Sequence, residues 1–493
     1  MSKSASEKFQ KGITVQTIVS ISTAILQVVV FAILSRLLSK AEFGYYAALM
    51  GITMIFMGIS DAGIGSAVIQ QKKLSKKYIS TAFTTSIVFG GFMSVAFFLL
   101  ASYLANIIVD NTLTVPMRLM AIPLFLQNLN GVGVALLRRD LQFGLLGKMK
   151  IISYSISAII AIFGALIGWG LYAMVVLFVL DATIYTLLVY VRVGFPYIGF
   201  GHTEFKSVFS YGGWLTLGVI MSSIANQVDK LVLGKWLTVE RLGAYNRPSG
   251  FISNIIGQIN TIFDGVLFPI LSEFQDSKEK FRDIFYRSYL LLSTLGILIA
   301  CVLFFNSKLI ITIFFGEQWN ELVGVLQIVS LSAIFMLNNT LADCFFRSFN
   351  LVKAGFFIRS FGVLLTLSFL YIGSKYDVLG VAIAVFVANF ITVAIKLLYL
   401  VWKSNADLLK VVRLGFFAWK PSVPIIIIGV LITAVFPVSF VGQIAIAIIL
   451  ISVVIIELLF FPNYVGDGYM DLMYSKLQPI RTHIIGFIRR KRL

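Results

Sequence analysis

Runs of about twenty or more apolar residues recur along the whole chain, separated by short polar joints. A hydrocarbon layer about 30 Å thick is crossed by about 20 helical residues, so runs of this length predict membrane-spanning helices. We place fourteen of them, near 12–35, 45–70, 79–109, 116–137, 149–168, 171–191, 211–234, 246–272, 286–305, 324–346, 356–374, 378–402, 421–437 and 441–461. Two joints carry almost no charge and are marked by backbone chemistry instead. Gly168, Trp169 and Gly170 divide the fifth run from the sixth, and Pro437, Val438 and Ser439 divide the thirteenth from the fourteenth. The first run follows Lys3, Lys8 and Lys11 but lacks a cleavage-type end, so it reads as a retained span and not a signal peptide.

Composition agrees with this pattern. Of 493 residues 59% are hydrophobic and 13% charged, which excludes a soluble globular enzyme, where the shares are about half and about a quarter. No loop exceeds about 20 residues, so there is no room for a soluble catalytic or receptor domain. The fold class expected is an all-α integral membrane protein of about fourteen transmembrane helices.

The net charge of +18 would suggest nucleic acid in a soluble protein. Here its distribution settles the matter. Segments on the side of both termini hold 30 Lys and Arg, those on the other side hold 8, and Lys230 and Lys396 lie within spans. Such a bias places both termini in the cytoplasm. The excess is a topology signal, with no nucleic-acid partner implied, and the spans themselves are net acidic. The basic tail at 481–493 reads as a segment lying on an anionic leaflet.

The chain also matches itself weakly. Arg36, Ser39, Gly44 and Tyr46 line up with Lys235, Thr238, Gly243 and Tyr245 at an offset of 199. Leu129, Asn130 and Arg139 line up with Leu337, Asn338 and Arg347 at 208. Six spans separate the copies, so both have the same orientation. That predicts two pseudo-symmetric six-helix lobes, 1–205 and 206–405, with two further helices and the basic tail at 406–493.

Polar residues stack on single faces of several spans at spacings of three and four. Gln16, Ser20, Thr23 and Gln27 do so in the first, and Ser253, Gly257, Asn260 and Asp264 in the eighth. Interhelical hydrogen bonding uses the same residue types as a wet cavity. Gln127, Gly131 and Arg138 in the fourth span and Asn339 and Asp343 in the tenth bring the stripes to four, and four stripes in matching helices of both halves favour the cavity. Ionisable residues inside spans are costly and point to function: Asp61, Asp181, Asp229, Lys230, Asp264, Asp343, Lys396 and Glu457. Lys396 and Glu457 lie near a cytoplasmic end, where they are expected to snorkel. Asp229 and Lys230 are helix neighbours and face different partners. Cys301 and Cys344 show no pairing pattern, and neither metal-ligand spacing nor a phosphate loop is present, so no metal or cofactor is expected.

In this order and spacing, several motifs resemble the Wzx-type polysaccharide transporters, the lipid-linked oligosaccharide flippases related to MATE exporters and the MurJ lipid II flippase. They are RLLS at 36–39 with EFG at 42–44, DAGIGSAVIQ at 61–70, LRRDLQF at 137–143, DKLVLG at 229–234 with GAY at 243–245, PILS at 269–272 and FGEQW at 315–319. Lys40, where such proteins have proline, and Arg247 with Pro248, where they have small residues, are departures. The resemblance covers essentially the whole chain. It implies alternating access and a substrate made of an oligosaccharide on undecaprenyl pyrophosphate, moved across the bacterial cytoplasmic membrane, with polysaccharide-assembly proteins as partners. Arg138, Arg139 and Arg347 are then candidates for receiving the pyrophosphate, since the planar guanidinium fork binds two oxygens. Arg36, Gln16, Gln27 and Lys230 are further substrate contacts, and Asp61, Asp229, Asp264 and Asp343 are candidates for gating or for coupling to H+ or Na+. The nearest rival is a cation-coupled MATE-type exporter. A membrane-embedded sugar transferase is disfavoured, because the outer loops hold only scattered Glu240, Glu317 and Glu321.

Overall fold

The computed structural model describes residues 19, 22–60, 64–71, 74–140, 142–205, 213–273, 278–349 and 351–435. Gln16, Asp61, the fourteenth span and the basic tail lie outside these residues. The long helices are α1 (Ser22–Leu37), α2 (Lys40–Ser60), α3 (Ile64–Gln70), α4 (Lys76–Ile108), α5 (Thr114–Arg139), α6 (Phe143–Leu166), α7 (Leu171–Val193) and α8 (Gly213–Trp236). They continue with α9 (Val239–Glu273), α10 (Lys278–Phe305), α11 (Val323–Leu331), α12 (Ala333–Ser348), α13 (Val352–Gly373), α14 (Asp377–Ser404), α15 (Leu408–Phe417) and α16 (Val423–Val435). Among the described residues, nine helical stretches are long and apolar enough to cross a membrane. Large apolar side chains lie open on their surfaces, such as Leu99 at 72% and Val191 at 85% exposure. A surface of this kind is stable against hydrocarbon and not against water. The protein is a multi-pass membrane protein.

Helix ends follow local chemistry. Ser75 caps α4 by accepting from the Tyr78 N–H at 3.1 Å. The joint expected at 168–170 is present: Gly168 and Gly170 take φ of +88° and +54° between α6 and α7, angles that favour glycine. The run expected as one helix at 324–346 is divided at Ser332, whose N–H bonds the Val329 carbonyl at 3.0 Å in a tightened turn.

The described residues fall into two compact units, drawn from Met1–Gln258 with Val352–Val381 and from Ile259–Leu351 with Ala382–Leu493. In the first, α4 packs on α5, α7 on α5 and α6, and α8 between α2 and α13. Ile64, Val68, Phe83, Val132 and Tyr190 form part of its core. In the second, α10 packs against α11, α12 and α15, and Ile297, Leu298, Cys301, Ala418 and Ile425 cluster at its centre.

Candidate functional site

The first turns of α2 and α9 explain the repeated motif. Ser39 and Glu42 form a capping box, with the Ser39 N–H donating to Glu42 Oε2 at 2.6 Å and the Glu42 N–H to Ser39 Oγ at 3.3 Å. In the second copy Thr238 accepts from the Arg241 N–H at 3.4 Å. Five residues beyond each cap stands a glycine, and the two glycines pack against each other's helix. A methyl group at Gly44 would strike the Val239 carbonyl, and one at Gly243 would strike the Lys40 carbonyl. Lys40 and Val239 are themselves equivalent at the offset of 199, so the contact is reciprocal, as at an isologous interface. Backbones approach this closely only where no Cβ intervenes.

Around this crossing the first unit adds specific anchors. The Arg247 guanidinium, only 5% exposed, lies 3.8 Å from the Phe43 ring centroid, and its Nη2 donates to the Phe31 carbonyl at 3.1 Å. Tyr45 donates to Asp110 at 2.8 Å, and the Thr112 N–H donates to the same carboxylate at 2.8 Å. Burial pushes the Asp110 pKa up, but the hydrogen bonds from Thr112 and Tyr45 outweigh it and hold the group below its ordinary value. Further along α2, Gly51 packs on Lys230 and Leu231 of α8, and Gly58 on Ser223. The glycines recur at 44, 51, 58 and 65, every second turn. Gly44 meets α9, Gly51 and Gly58 meet α8, and Gly65 of α3 meets Gly131 of α5, so the one spacing serves three neighbours.

The predicted charged residues take distinct places. In the first unit, Asp229 accepts from the Tyr245 hydroxyl at 2.9 Å, while Lys230 donates to Gln227 Oε1 at 2.8 Å. Arg139 Nη1 donates to the carbonyls of Val68, Ile69 and Gln71 at 3.2, 3.4 and 2.5 Å. It thereby satisfies the C-terminal carbonyls of α3. Arg138 beside it is exposed, and among the described residues no hydrogen bond holds its guanidinium. Arg36 is exposed and Gln27 half-buried. Asp181, one of the intramembrane charges to which no role was assigned, is buried between Lys150 at 2.5 Å and the Ser153 hydroxyl at 2.7 Å.

In the second unit, Lys396 does not snorkel. It is 1% exposed and donates to Asp343 at 2.6 Å and to Asn339 at 2.7 Å. A carboxylate on the facing α12 makes burial of the ammonium tolerable, a partner that the position of Lys396 along α14 does not reveal. Arg347 is exposed and its Nε donates to the Asp343 carbonyl at 3.3 Å. Asp264 falls on α9, with its side chain outside the described set. Among the described residues, no three His, Cys, Asp or Glu side chains gather to hold a metal ion.

A family model for polysaccharide biosynthesis proteins matches residues 33–324, more than half of the chain. The chain belongs to this family. It is 25% identical to the lipopolysaccharide biosynthesis protein WzxC of Escherichia coli K12, over 65% of each chain. It is also 25% identical to a putative O-antigen transporter of Shigella flexneri, over 71% of this chain and 88% of the other. Its fold is similar to that of the lipid II flippase MurJ, with a TM-score of 0.67 at 15% identity over 91% of this chain and 98% of MurJ. It also resembles a multidrug MATE transporter of the MOP superfamily, with a TM-score of 0.62 at 13% identity over 79% of this chain and 98% of that transporter.

Proposed function

We propose that the protein is a flippase for undecaprenyl-pyrophosphate-linked oligosaccharide repeat units. It moves them from the cytoplasmic to the outer leaflet of the bacterial cytoplasmic membrane by alternating access, for assembly into a surface polysaccharide. The carrying observation is the combination of a MurJ- and MATE-like transporter fold with membership of a polysaccharide biosynthesis family. The physical need is plain: a pyrophosphate–sugar head group cannot cross about 30 Å of hydrocarbon unaided. Both termini are assigned to the cytoplasm by the Lys and Arg distribution.

On this reading the reciprocal crossing of α2 and α9 is a contact that parts when the cavity opens at that end. Among the candidate arginines, Arg138 is best placed to take pyrophosphate oxygens, because it is exposed and no hydrogen bond occupies its guanidinium among the described residues. Arg139 steadies α3 beside it. Arg347, Arg36, Gln27 and Lys230 remain candidate substrate contacts, and Asp229 and Asp343 candidate groups for coupling to H+ or Na+. The test is deletion of the gene. Lipid-linked repeat units should accumulate on the inner leaflet and surface polymer should disappear, with wild-type protein restoring both. Deletion without accumulation overturns the reading.

A second reading, a cation-coupled MATE-type exporter, is favoured by a carboxylate buried within a span, Asp181. It predicts altered drug resistance on deletion, with surface polysaccharide unchanged.

A further inference from the structure

Within the second unit, α10, α12, α14 and α15 enclose a groove of about 510 Å³, a size typical of small-molecule sites. Its lining is apolar apart from the Trp419 indole N–H, Tyr289, Ser293 and Asn338. The last two are turned on the protein: Ser293 Oγ donates to Asn338 Oδ1 at 3.2 Å, and Asn338 Nδ2 donates to the Ile334 carbonyl at 2.8 Å. The groove therefore offers a ligand hydrocarbon contact and few hydrogen bonds. Its mouth is edged by Phe390, Leu398, Val412 and Phe416, 48–76% exposed. On a membrane-spanning chain such a mouth opens into lipid.

The rim supplies the second half of the recognition. The ten-residue α15 forms the first part of the apolar stretch Leu408–Leu431, and it carries exposed Leu409 and Phe416 together with exposed Lys410 and Arg413. That is the pattern of a helix lying at the membrane interface. Across 403–420 stand Lys403, Lys410, Arg413 and Lys420 against one acid, Asp407, whose carboxylate is already used to accept from the Leu409 N–H at 2.9 Å. Cations at headgroup level above a hydrocarbon slot match a lipid with a negative headgroup.

We infer that this groove holds one acyl chain of an anionic membrane phospholipid, with its phosphate against Lys410 and Arg413. The groove suits a chain of ordinary acyl length better than an undecaprenyl tail several times longer. The inference does not depend on which substrate is transported.

The test uses the full chain in nanodiscs containing phosphatidylglycerol or phosphatidylcholine with a photoactivatable diazirine on the acyl chain, the adducts being mapped by peptide mass spectrometry. Adducts from phosphatidylglycerol should fall on Phe390, Leu397, Val412 and Phe416, about fivefold or more above those from phosphatidylcholine. The exposed pair Lys410→Gln and Arg413→Gln should bring the two lipids level. Ala394→Trp, which fills the groove, should lower labelling by both. Equal labelling by the two lipids in the parent protein overturns the inference. So does displacement of the phosphatidylglycerol adducts by a small excess of undecaprenyl phosphate, which would give the groove to the transported lipid's tail.

Discussion

The first turns of α2 and α9 use matching residues to make matching contacts, whereas the arginines aligned at 139 and 347 sit in unlike surroundings. Gly44 meets Val239 as Gly243 meets Lys40. Arg139 gathers three carbonyls at the end of α3, while Arg347 Nε donates to the Asp343 carbonyl of its own helix. Each half also holds a Lys–Asp pair, but Lys150 and Asp181 join α6 to α7, and Lys396 and Asp343 join α14 to α12. The matched motifs thus keep their symmetry where they touch each other. There, a change in one copy must be answered by the other. Elsewhere each copy is free to solve the burial of charge in its own way.

The largest expected effect lies at the symmetric contact. Gly44→Val drives a side chain into the Val239 carbonyl, which belongs to backbone and cannot swing aside. Export of surface polysaccharide should fall to the level of the deletion strain. Gly243→Val should do the same, and Gly51→Ala, whose methyl would meet Lys230 Cβ at an ordinary 3.4 Å, should keep most of it. Polymer yield, normalised to the amount of protein in the membrane, is the measurement. Full export by Gly44→Val would remove the crossing from the transport cycle.

Next come the two Lys–Asp pairs, one more buried than the other. Lys396→Met leaves Asp343 without its ammonium and should cost about 3–5 kcal/mol, read as a large drop in thermal stability in detergent. Adding Asp343→Leu should recover much of that loss, because both charges are then gone. Lys150→Met should cost less, since Lys150 is 36% exposed and Ser153 still donates to Asp181. Equal losses in the two units would mean that the pairs are less different than their burial.

These contrasts also mark what could be read from the chain alone. The class of fold, the joint at Gly168 to Gly170 and the motif shared by 36–46 and 235–245 were legible, because apolar run length, glycine conformation and helix capping are local properties. The meaning of the motif was not. Which residue opposes Gly44 depends on a helix about two hundred positions away. Lys396 was misjudged for the same reason, since its depth along α14 suggested snorkelling and its partner sits on α12. Arg139 was legible as important, but a guanidinium near a span end gives no sign of whether it meets pyrophosphate or a helix terminus.

That ambiguity sets the third prediction. Arg139→Ala strands the carbonyls at the end of α3 and should cost about 1–3 kcal/mol of stability. Arg347→Ala, on an exposed side chain, should stay within about 0.5 kcal/mol. Arg138→Ala should leave stability alone and reduce export. Should Arg138→Ala export normally while Arg347→Ala does not, the pyrophosphate contact belongs to the other copy.

The smallest effect concerns an anchor that the two copies do not share. Tyr45 ties the first turns of α2 to Asp110, whereas the equivalent position in the second copy is Ala244, with no hydroxyl to offer. The folded state holds the Asp110 pKa below its ordinary 3.8. Its contribution is therefore present above that value and is lost as pH falls through the lower folded value. Thermal stability of the parent should decline slightly more steeply below the ordinary carboxylate range than that of Asp110→Asn, which has no charge left to titrate. Parallel curves for the two proteins would show that the Asp110 charge, held by Thr112 and Tyr45, contributes nothing to stability, and would leave the crossing to the glycines, their caps and Arg247.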